Sequence, residues 1–389
     1  MRPDLALLLH SFEMGGAQKR TLALAAELAR RGRRVDLVVV RGEGPLRAAL
    51  DPAVRLVTLE KRPPSARGLA MAAAIPALAA YIRRERPAVL VSAANHSALA
   101  AITGHTLAGV ATTALVLRVS NPLMVGRDRP QDRVRRLLLR RLMRRVDGFA
   151  CVSEQIRGEV LALDPRAADR ARVVVNPVAP APQDVPSPPP RSRPGPELLG
   201  LGRLNPQKGF DVLIRAFARL DPALGARLTI VGGGPERPAL ERLAEEMKLG
   251  DRVVFAGETA RPLEALVACD LFVLSSRFEG MPGALIEAMA CGRAVVATDL
   301  PSVRELVEGL PIPLAPPGDA EALAAAMARA LAVPQDPAPL RVRAARYAIA
   351  AATDDFEALL DTAAKRRVSR LSGPTGSRGR AAPGPGERG

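Results

Sequence analysis

The feature that most constrains this 389-residue chain is a repeated alternation of short apolar runs with longer helical patterns. The run "LALLL" at 5–9 is followed by a glycine turn, a helical pattern to Arg31 and a second apolar run, "RVDLVVV", at 34–40. Continuous Leu/Val runs of strand length, separated by helices, are typical of parallel sheets that are covered by helices on both faces. The alternation stops once, at 176–197, where nine prolines exclude a helix or a central strand, and it then starts again.

This arrangement predicts two consecutive doubly wound α/β units joined by a proline-rich linker. A chain of this length is long enough for two hydrophobic cores. In such sheets ligands bind beyond the carboxyl ends of the strands. The predicted segments are an N-terminal Rossmann-like domain at 1–176, the linker at 177–197, a second Rossmann-like domain at 198–340, a helical segment at 341–369 and a disordered tail at 370–389, which is poor in apolar residues.

The net charge of +16 suggests an anionic partner, although only five of the 56 basic residues are lysines. An Arg-rich, Lys-poor composition also fits a genome with biased codons, so both interpretations stay open. The strongest basic segment is a predicted helix at 131–145, whose apolar residues recur at helical spacing beside an arginine face. That face is either solvated or bound to an anionic membrane surface or a lipid-linked acceptor. Aromatic residues are scarce and no groove-reading motif occurs, which argues against nucleic acid.

Cysteine usage and hydropathy indicate the compartment. Three widely separated cysteines, with no C-x-x-C pair, support neither a disulfide framework nor a zinc site. The N-terminal apolar run is too short for a signal peptide, and no segment has the ~20 apolar residues that a spanning helix needs. We expect a cytoplasmic protein that is soluble or peripheral at the inner face of the plasma membrane.

Two basic residues follow the first strand of the second unit. Gly202 closes that strand, Arg203 and Lys208 lie on the next loop, and Gly209 opens a helix. Two cations at the carboxyl end of a strand, beside a helix N-terminus, form a site for a doubly charged anion such as a diphosphate. An exposed basic loop is the alternative interpretation.

The stretch "SSRFEGMPGALIEAMACG", at 275–292, places two carboxylates around a tight turn. We expect Glu279 at the carboxyl end of a buried strand and Glu287 about a turn and a half into the next helix. Carboxylates pair well with the hydroxyls of a sugar or a ribose, and Glu is rarely buried without a partner. For Glu287 the alternative is a solvated helix surface. Pro282 is predicted in the first helical turn, with free amides on Gly280, Met281 and Gly283 that face an anion.

Several motifs in this half occur in an order that resembles a known family. The segments "GRL…QKGFD.LI.AF", "IVGGGP", "V.FAG" and "D.FVLSSRFEGMPGALIEAMACGRAVVATD..S.RELV" span roughly 198–310. Together they resemble the C-terminal domain of retaining GT-B glycosyltransferases of the family-4 type, the glycosyl transferases group 1. The stretch "LLLHSFEMGGAQKRTLALAAELARRGRRVDLVVV" is similar to the first βα unit of that family, with Gln18 where the family usually has Glu. The resemblance implies two Rossmann-like domains that face each other across a cleft.

The resemblance also implies roles for individual residues. Arg203 and Lys208 would neutralise the diphosphate of a nucleotide-sugar donor, Glu287 would bind the ribose hydroxyls, and Glu279 would hold the transferred sugar with the amides of Gly280 to Gly283. Gly15 and Gly16 would approach the donor from the N-terminal domain. Glu279, Arg203 and Lys208 are the predicted catalytic residues, and the predicted donor-binding residues are Gly15, Gly16, Gly280, Met281, Pro282, Gly283 and Glu287. No metal and no cofactor are expected, which agrees with the lack of an Asp-x-Asp signature at a strand end.

The reacting centre in the N-terminal half is less well defined by the sequence. Many relatives have a histidine where this chain has the "RVSNP" turn, and Ser120 or Asn121 stands there instead. Asn95 and His96 lie at another predicted strand end. Asn95, His96 and Ser120 are therefore candidate contacts for the acceptor or sugar, with a helix-start role as the alternative for His96; His10 and His105 are expected to be structural.

We therefore expect a retaining glycosyltransferase that moves a sugar from a nucleotide-diphosphate sugar to a lipid-linked or glycan acceptor, in cell-envelope polysaccharide or glycolipid synthesis. Two alternatives remain at this point. One is a nucleotide-sugar epimerase or hydrolase on the same fold. The other is a non-catalytic subunit that binds a sugar nucleotide.

Overall fold

The computed structural model describes residues 2–60, 64–123, 137, 140–190 and 193–371, which contain two parallel β-sheets. The strands of the first sheet are β1 Leu5–Leu9, β2 Val35–Val39, β3 Arg55–Thr58, β4 Val89–Ser92, β5 Ala114–Val119, β6 Gly148–Cys151 and β7 Ala171–Val173. Those of the second sheet are β8 Glu197–Leu201, β9 Arg227–Val231, β10 Val253–Gly257, β11 Leu271–Leu274, β12 Ala294–Thr298 and β13 Leu314–Ala315.

Helices connect the strands and cover both sheets. In the first half they are α1 Gly16–Arg30, α2 Arg67–Ala73, α3 Ile75–Glu85, α4 Ala98–Ala108 and α5 Glu154–Leu163. In the second half they are α6 Phe210–Phe217, α7 Arg237–Glu246, α8 Pro262–Ala268, α9 Gly283–Ala290, α10 Pro301–Val307, α11 Ala320–Ala332, α12 Pro337–Ala345 and α13 Ile349–Leu371. Short 3-10 turns lie between several of these elements.

The strand order gives each sheet one point where the direction of winding reverses. The first sheet has the order β3-β2-β1-β4-β5-β6-β7, and the second has β10-β9-β8-β11-β12-β13. The reversal lies between β1 and β4 in the first sheet and between β8 and β11 in the second, and ligands of open α/β sheets bind beyond the carboxyl ends of such strands. This confirms the predicted pair of doubly wound, Rossmann-like units.

Several local features differ from the expectation. The pattern near 69–85 predicts one helix, but these residues form the two helices α2 and α3, because Pro76 stands in the first turn of α3, where a missing N–H is tolerated but continuation from α2 is not. Strand β3 was not predicted. Its side chains are half-buried or exposed at the edge of the sheet, so Arg55–Thr58 lacks the apolar run that marks the central strands.

The last helix returns to the first sheet. Phe356, Leu359 and Leu360 of α13 are buried in the same apolar cluster as Leu24 and Leu28 of α1. A charged network lies over this contact: Arg31 donates to Asp354 and Glu357 at 2.6 and 2.9 Å, and Arg33 to Glu357 and Asp361 at 3.0 Å each. The C-terminal helix is thus part of the N-terminal half of the fold.

The prediction of a disordered tail from residue 370 onward is wrong for its first two residues. Arg370 and Leu371 continue α13, and Arg370 donates to the buried carboxylate of Asp147 at 3.0 Å, which fixes the last turn. Residues 372–389 lie outside the described part of the chain. Residues 131–136 and 138–139 of the predicted basic helix at 131–145 also lie outside it; residues 137 and 140–143 are helical, and 144–145 form a turn. Among the described helices, none is both long and apolar enough to cross a membrane.

Candidate functional site

Four loops at the two reversal points carry nearly all the predicted site residues. In the first sheet, the loop after β1 leads to Gly15 and Gly16, and the loop after β4 carries Asn95 and His96. In the second sheet, the loop after β8 runs from Gly202 to Lys208 and the loop after β11 from 275 to 282. Together these loops contain residues as far apart in the sequence as Gly15 and Pro282, which are 267 positions apart. Ser120, which follows the neighbouring strand β5, joins them.

Lys208 and Glu279 contact each other directly. The Lys208 Nζ donates to Glu279 Oε1 at 2.5 Å, and Ser276 Oγ donates to the same oxygen at 2.7 Å. Glu279 is 6% exposed, so its carboxylate is desolvated and depends on these partners. The Ser275 hydroxyl holds the Lys208 carbonyl at 2.9 Å, which ties the two loops together. Lys208, which was predicted to bind a diphosphate, and Glu279, which was predicted to bind a sugar, thus form one ion pair.

The other residues of the β8 loop support this geometry. Arg203 is exposed at the carboxyl end of β8 and makes no ion pair with a described carboxylate, so its guanidinium is available to a ligand. Gly209 has φ +61 and packs against the Ser275 carbonyl, so a side chain there would be strained and would clash with the β11 loop. The loop therefore approaches its neighbour closely because residue 209 is glycine.

The turn at 280–283 meets the N-terminal half at three points. A side-chain carbon at Gly280 would clash with the backbone carbonyl of Ser120, and the Asn176 amide donates to Met281 Sδ at 3.5 Å. A carbon at Gly283 would lie 2.7 Å from Arg20 Nη2. Small residues in this turn thus permit the two halves to meet, and they bring Ser120 beside the loop after β11.

Two expectations about this turn need correction. Pro282 precedes α9 as its N-cap residue instead of lying in the first helical turn, because its carbonyl already accepts from the amides of Leu285 and Ile286 at 3.1 and 3.2 Å. The amide of Gly283 is not free, since it donates to the Met281 carbonyl at 3.0 Å. The tight turn itself uses that donor, so Gly283 contributes space to the cleft and not a free amide.

Glu287 lies half-buried on α9, on the side that faces α1. Burial raises the pKa of its carboxyl to about 7, against the opposing effect of the Arg20 guanidinium. No described residue forms an ion pair with it. The solvated-surface alternative does not fit this environment, and a ligand that donates hydrogen bonds would satisfy the carboxyl group.

Asn95 is occupied by contacts within the first half. Its Oδ1 accepts from the Ser120 amide at 2.9 Å, and its Nδ2 donates to the Asn121 carbonyl at 2.9 Å. The side chain therefore joins the loops after β4 and β5. It fixes the Ser120 backbone opposite Gly280, which is a positioning role for a residue that we predicted as a direct contact.

His96 forms a pair with His10. Their ring centroids lie 6.1 Å apart in an edge-on arrangement, and the buried Nε2 atom of each ring lacks a hydrogen-bond partner within the described chain. Burial, and then the charge of Arg67, lowers the pKa of both rings, that of His96 to about 4, so both are neutral at pH 7. His105, by contrast, is held by the Thr113 carbonyl at 2.8 Å in a structural contact.

Sequence reasoning missed three residues near the turn: Arg20, Arg118 and Asn176. Arg118 is 5% exposed on the central strand β5 and hydrogen-bonds Asn176 Oδ1. Burial lowers its pKa to about 9, and the nearby charge of Arg20 adds to the effect. A charged residue inside the apolar run "ALVLRVS" was the available signal, because arginine is almost never fully buried without a partner.

Two protein-family models match the chain, one in each half. The N-terminal half matches the glycosyl transferase 4-like domain over residues 15–179. The C-terminal half matches glycosyl transferases group 1 over residues 195–332. Together the two models cover most of the chain and every predicted site residue.

Curated relatives align over shorter segments. The N-acetylgalactosamine-N,N'-diacetylbacillosaminyl-diphospho-undecaprenol 4-alpha-N-acetylgalactosaminyltransferase of Campylobacter jejuni is 40% identical over 110 residues, 28% of this chain and 30% of the relative. The lipopolysaccharide core biosynthesis glycosyltransferase LpsE of Rhizobium meliloti is 36% identical over 143 residues, 35% of this chain and 40% of the relative. The matched segments thus span less than half of either relative.

Solved structures align over nearly the whole chain. HepE from Anabaena, in complex with UDP and glucose, superposes with a TM-score of 0.75 at 19% identity, covering 92% of this chain and all of HepE. At this identity the likeness concerns the fold, which is the two-domain arrangement described above.

Proposed function

Because the chain belongs to the group 1 glycosyltransferases with the GT-B fold, we propose that it transfers a sugar from a nucleotide-diphosphate sugar to a lipid-linked or glycan acceptor in cell-envelope polysaccharide or glycolipid synthesis. The observation that carries the proposal is the convergence of the Lys208–Glu279 pair, Glu287 and the glycine loop at Gly15 and Gly16, where the two halves of the chain meet. It supports a single cleft with cationic and carboxylate groups on one wall.

The donor fits this wall by chemistry. Arg203 and Lys208 neutralise the diphosphate, and Glu287 accepts hydrogen bonds from the ribose hydroxyls. Glu279 accepts from the hydroxyls of the transferred sugar. In this assignment, binding of the nucleotide sugar separates or weakens the Lys208–Glu279 ion pair. Each of the two residues then exchanges a contact within the protein for a contact with the ligand. The complex of HepE with UDP and glucose supports a donor of this class.

The proposed reaction retains the anomeric configuration and needs no metal. The bond between the anomeric carbon and the diphosphate oxygen breaks, and its electron pair stays on the diphosphate. The acceptor hydroxyl oxygen bonds to the anomeric carbon on the same face, and its proton passes to the departing phosphate oxygen. Arg203 and Lys208 stabilise the charge that develops on the leaving group, which is the electrostatic role that cations play in such sites.

The acceptor is assigned to the N-terminal half. Ser120 lies against the donor-side turn, and the neutral His10–His96 pair provides buried ring nitrogens at the neighbouring strand ends. The names of the Campylobacter and Rhizobium relatives, one acting on an undecaprenol-linked sugar and one in lipopolysaccharide core synthesis, support a lipid-linked or glycan acceptor. With such acceptors we expect the enzyme in the cytoplasm at the inner membrane face, with the basic helix predicted at 131–145 as a contact for anionic lipid.

Purified protein tests the proposal through donor binding and donor consumption. A thermal-shift screen of nucleotide-diphosphate sugars identifies the donor, since a ligand of the folded state raises its stability. Consumption of that donor is then followed with and without glycan and lipid-linked acceptors, and with a chelator present. We expect acceptor-dependent turnover that the chelator leaves unchanged. Conversion without any acceptor would indicate an epimerase or hydrolase, and binding without turnover would indicate a non-catalytic subunit.

Single substitutions test the residue roles. We expect Lys208→Ala and Glu287→Ala to weaken donor binding by about tenfold or more, because each removes a charged hydrogen-bonding group. Glu279→Ala mainly lowers turnover, because the sugar loses its carboxylate near the reacting carbon. Arg47→Gln, an exposed change on the opposite half, is the control. Unchanged donor affinity in Lys208→Ala and Glu287→Ala would refute the assignment.

A further inference from the structure

Arg20 lies between a glycine from each half of the chain. It is half-buried on α1, one turn after Gly16, and a side-chain carbon at Gly16 would lie 2.9 Å from its Nη2. A carbon at Gly283, the first residue of α9, would lie 2.7 Å from the same nitrogen. Among the described residues no carboxylate forms an ion pair with Arg20. Its guanidinium therefore occupies the gap between the halves, at the N-terminus of α9.

A second cation lies behind it. Arg118 is 5% exposed, and the hydrogen bond that the structure shows for its guanidinium goes to the neutral Asn176. Asn176 is 1% exposed, and its Nδ2 donor is buried without an acceptor within the described chain. The Asn176 backbone amide contacts Met281 in the turn that precedes α9. A buried donor without a partner is costly, so this corner favours an added acceptor.

The charges of this corner do not balance. Arg20 and Arg118 carry positive charge in a desolvated space. The N-terminus of α9 adds the positive end of its peptide dipoles to the same space. Glu279, one of the two carboxylates that favour the charge on Arg20, is already bonded to Lys208. Glu287, the other, loses part of its charge at neutral pH because burial raises its pKa. An anion that enters beside Gly283 would relieve the repulsion.

We propose that Arg20 binds the diphosphate of the donor from the N-terminal half, opposite Arg203 and Lys208 of the other half, with Arg118 and Asn176 forming the wall behind it. This inference rests on the proposed function and adds a third cation to its diphosphate site. It follows that the diphosphate joins the two halves, and that a monophosphate, which lacks the second group, gains less from Arg20.

Isothermal titration of paired nucleotides tests the inference on the full chain. The probes are the tightest-binding member of UDP, GDP, ADP and CDP and its own monophosphate. The variants are Arg20→Gln and Arg20→Lys, with Arg47→Gln as a control that removes one exposed charge from the same half. We expect Arg20→Gln to weaken diphosphate binding at least about tenfold and monophosphate binding less than about threefold, with Arg20→Lys in between. Arg47→Gln should change neither affinity.

The outcomes separate this inference from the proposed function. If the wild-type protein binds none of the four diphosphates, both are rejected. If it binds one and Arg20→Gln weakens the diphosphate and the monophosphate equally, or neither, only the role of Arg20 is rejected. A rise in acceptor KM with unchanged diphosphate affinity would also reject it and would assign Arg20 to a phosphate of the acceptor. Arg20→Lys keeps the charge and the helix, so its diphosphate and monophosphate affinities test the role of Arg20 if Arg20→Gln does not fold.

Discussion

At the scale of the residue, Glu287 is a carboxyl group that the fold keeps partly protonated. Its ordinary pKa of 4.5 rises to about 7, because α9 buries it against α1. The folded protein therefore holds this proton more tightly than the unfolded chain does between those two values. The contribution of the neutral carboxyl group to the free energy of unfolding is fully present below pH 4.5 and declines as the pH rises to 7. The residue that we propose as the ribose ligand is thus retained at the expense of the stability of the free protein.

Glu287→Gln should remove this pH dependence. The amide has nearly the same shape and cannot ionise, so we expect the variant to gain stability relative to wild type as the pH rises from 5 to 8, by up to about 3 kcal/mol. Urea unfolding at each pH measures the difference in the absence of donor. Glu246→Gln, an exposed change on α7, serves as the control and should follow wild type. Parallel curves for wild type and Glu287→Gln would show that Glu287 is not the titrating group.

At the scale of the element, α13 completes the core of the N-terminal half. Its buried side chains Phe356, Leu359 and Leu360 cover α1, and the arginines Arg31 and Arg33 hold its acidic face. Without α13, strands β5 and β6 would be exposed to water on this face of the first sheet. The first half is therefore not an independent unit of residues 1–176, although its strands are all contained there.

Phe356→Ala tests this dependence. The ring is 1% exposed, so truncation leaves a cavity between α13 and the first sheet and should cost about 3–5 kcal/mol in the free energy of unfolding. Asp355→Ala, at the exposed neighbouring position, should change it by less than about 0.5 kcal/mol. Hydrogen exchange should show the added opening in β5 and β6, which α13 covers. Added exchange confined to the second sheet would contradict this packing.

The elements that the sequence predicted are those that local pattern determines. Central strands such as β1 and β11 are continuous apolar runs, and helices such as α1 and α9 begin at glycine or proline turns. The edge strand β3 and the return of α13 were missed, because the first has mixed polarity and the second depends on contacts between residues some 320 positions apart.

In the candidate site, too, the sequence predicted what local pattern determines and missed what depends on contacts between distant elements. Lys208, Glu279 and Glu287 lie within motifs, so spacing and resemblance together identified them. Their ion pair and the raised pKa of Glu287 arise from packing between elements, which no spacing shows. Arg20 was missed because an arginine in the first turns of an amphipathic helix is usually a solvated residue, and its contact with Gly283 at the start of α9 cannot be read from the sequence.

At the scale of the whole molecule, the positive charge is divided unequally. Residues 1–176 contain 30 Lys and Arg against 15 Asp and Glu, and residues 177–389 contain 26 against 25. Nearly the whole excess of +16 therefore belongs to the half that we assign to the acceptor. A codon bias toward arginine would act on both halves alike, so it does not account for this division. The asymmetry favours an anionic partner for the N-terminal half.

An anionic membrane is the partner that we propose on the basis of a lipid-linked acceptor, and vesicle binding tests it. We expect the full chain to bind vesicles that contain phosphatidylglycerol, to ignore neutral phosphatidylcholine vesicles, and to dissociate as salt rises, because screening weakens surface attraction. Replacing the exposed Arg140, Arg141 and Arg144 with Gln should weaken binding roughly 100-fold at about 1 kcal/mol per charge. The matched control replaces the exposed Arg215, Arg242 and Arg329 of the other half with Gln and should bind within about threefold of wild type. Equal losses in the two triple variants would mean that net charge alone, and not the N-terminal face, determines attachment. Binding to neutral and anionic vesicles alike would remove the electrostatic explanation altogether.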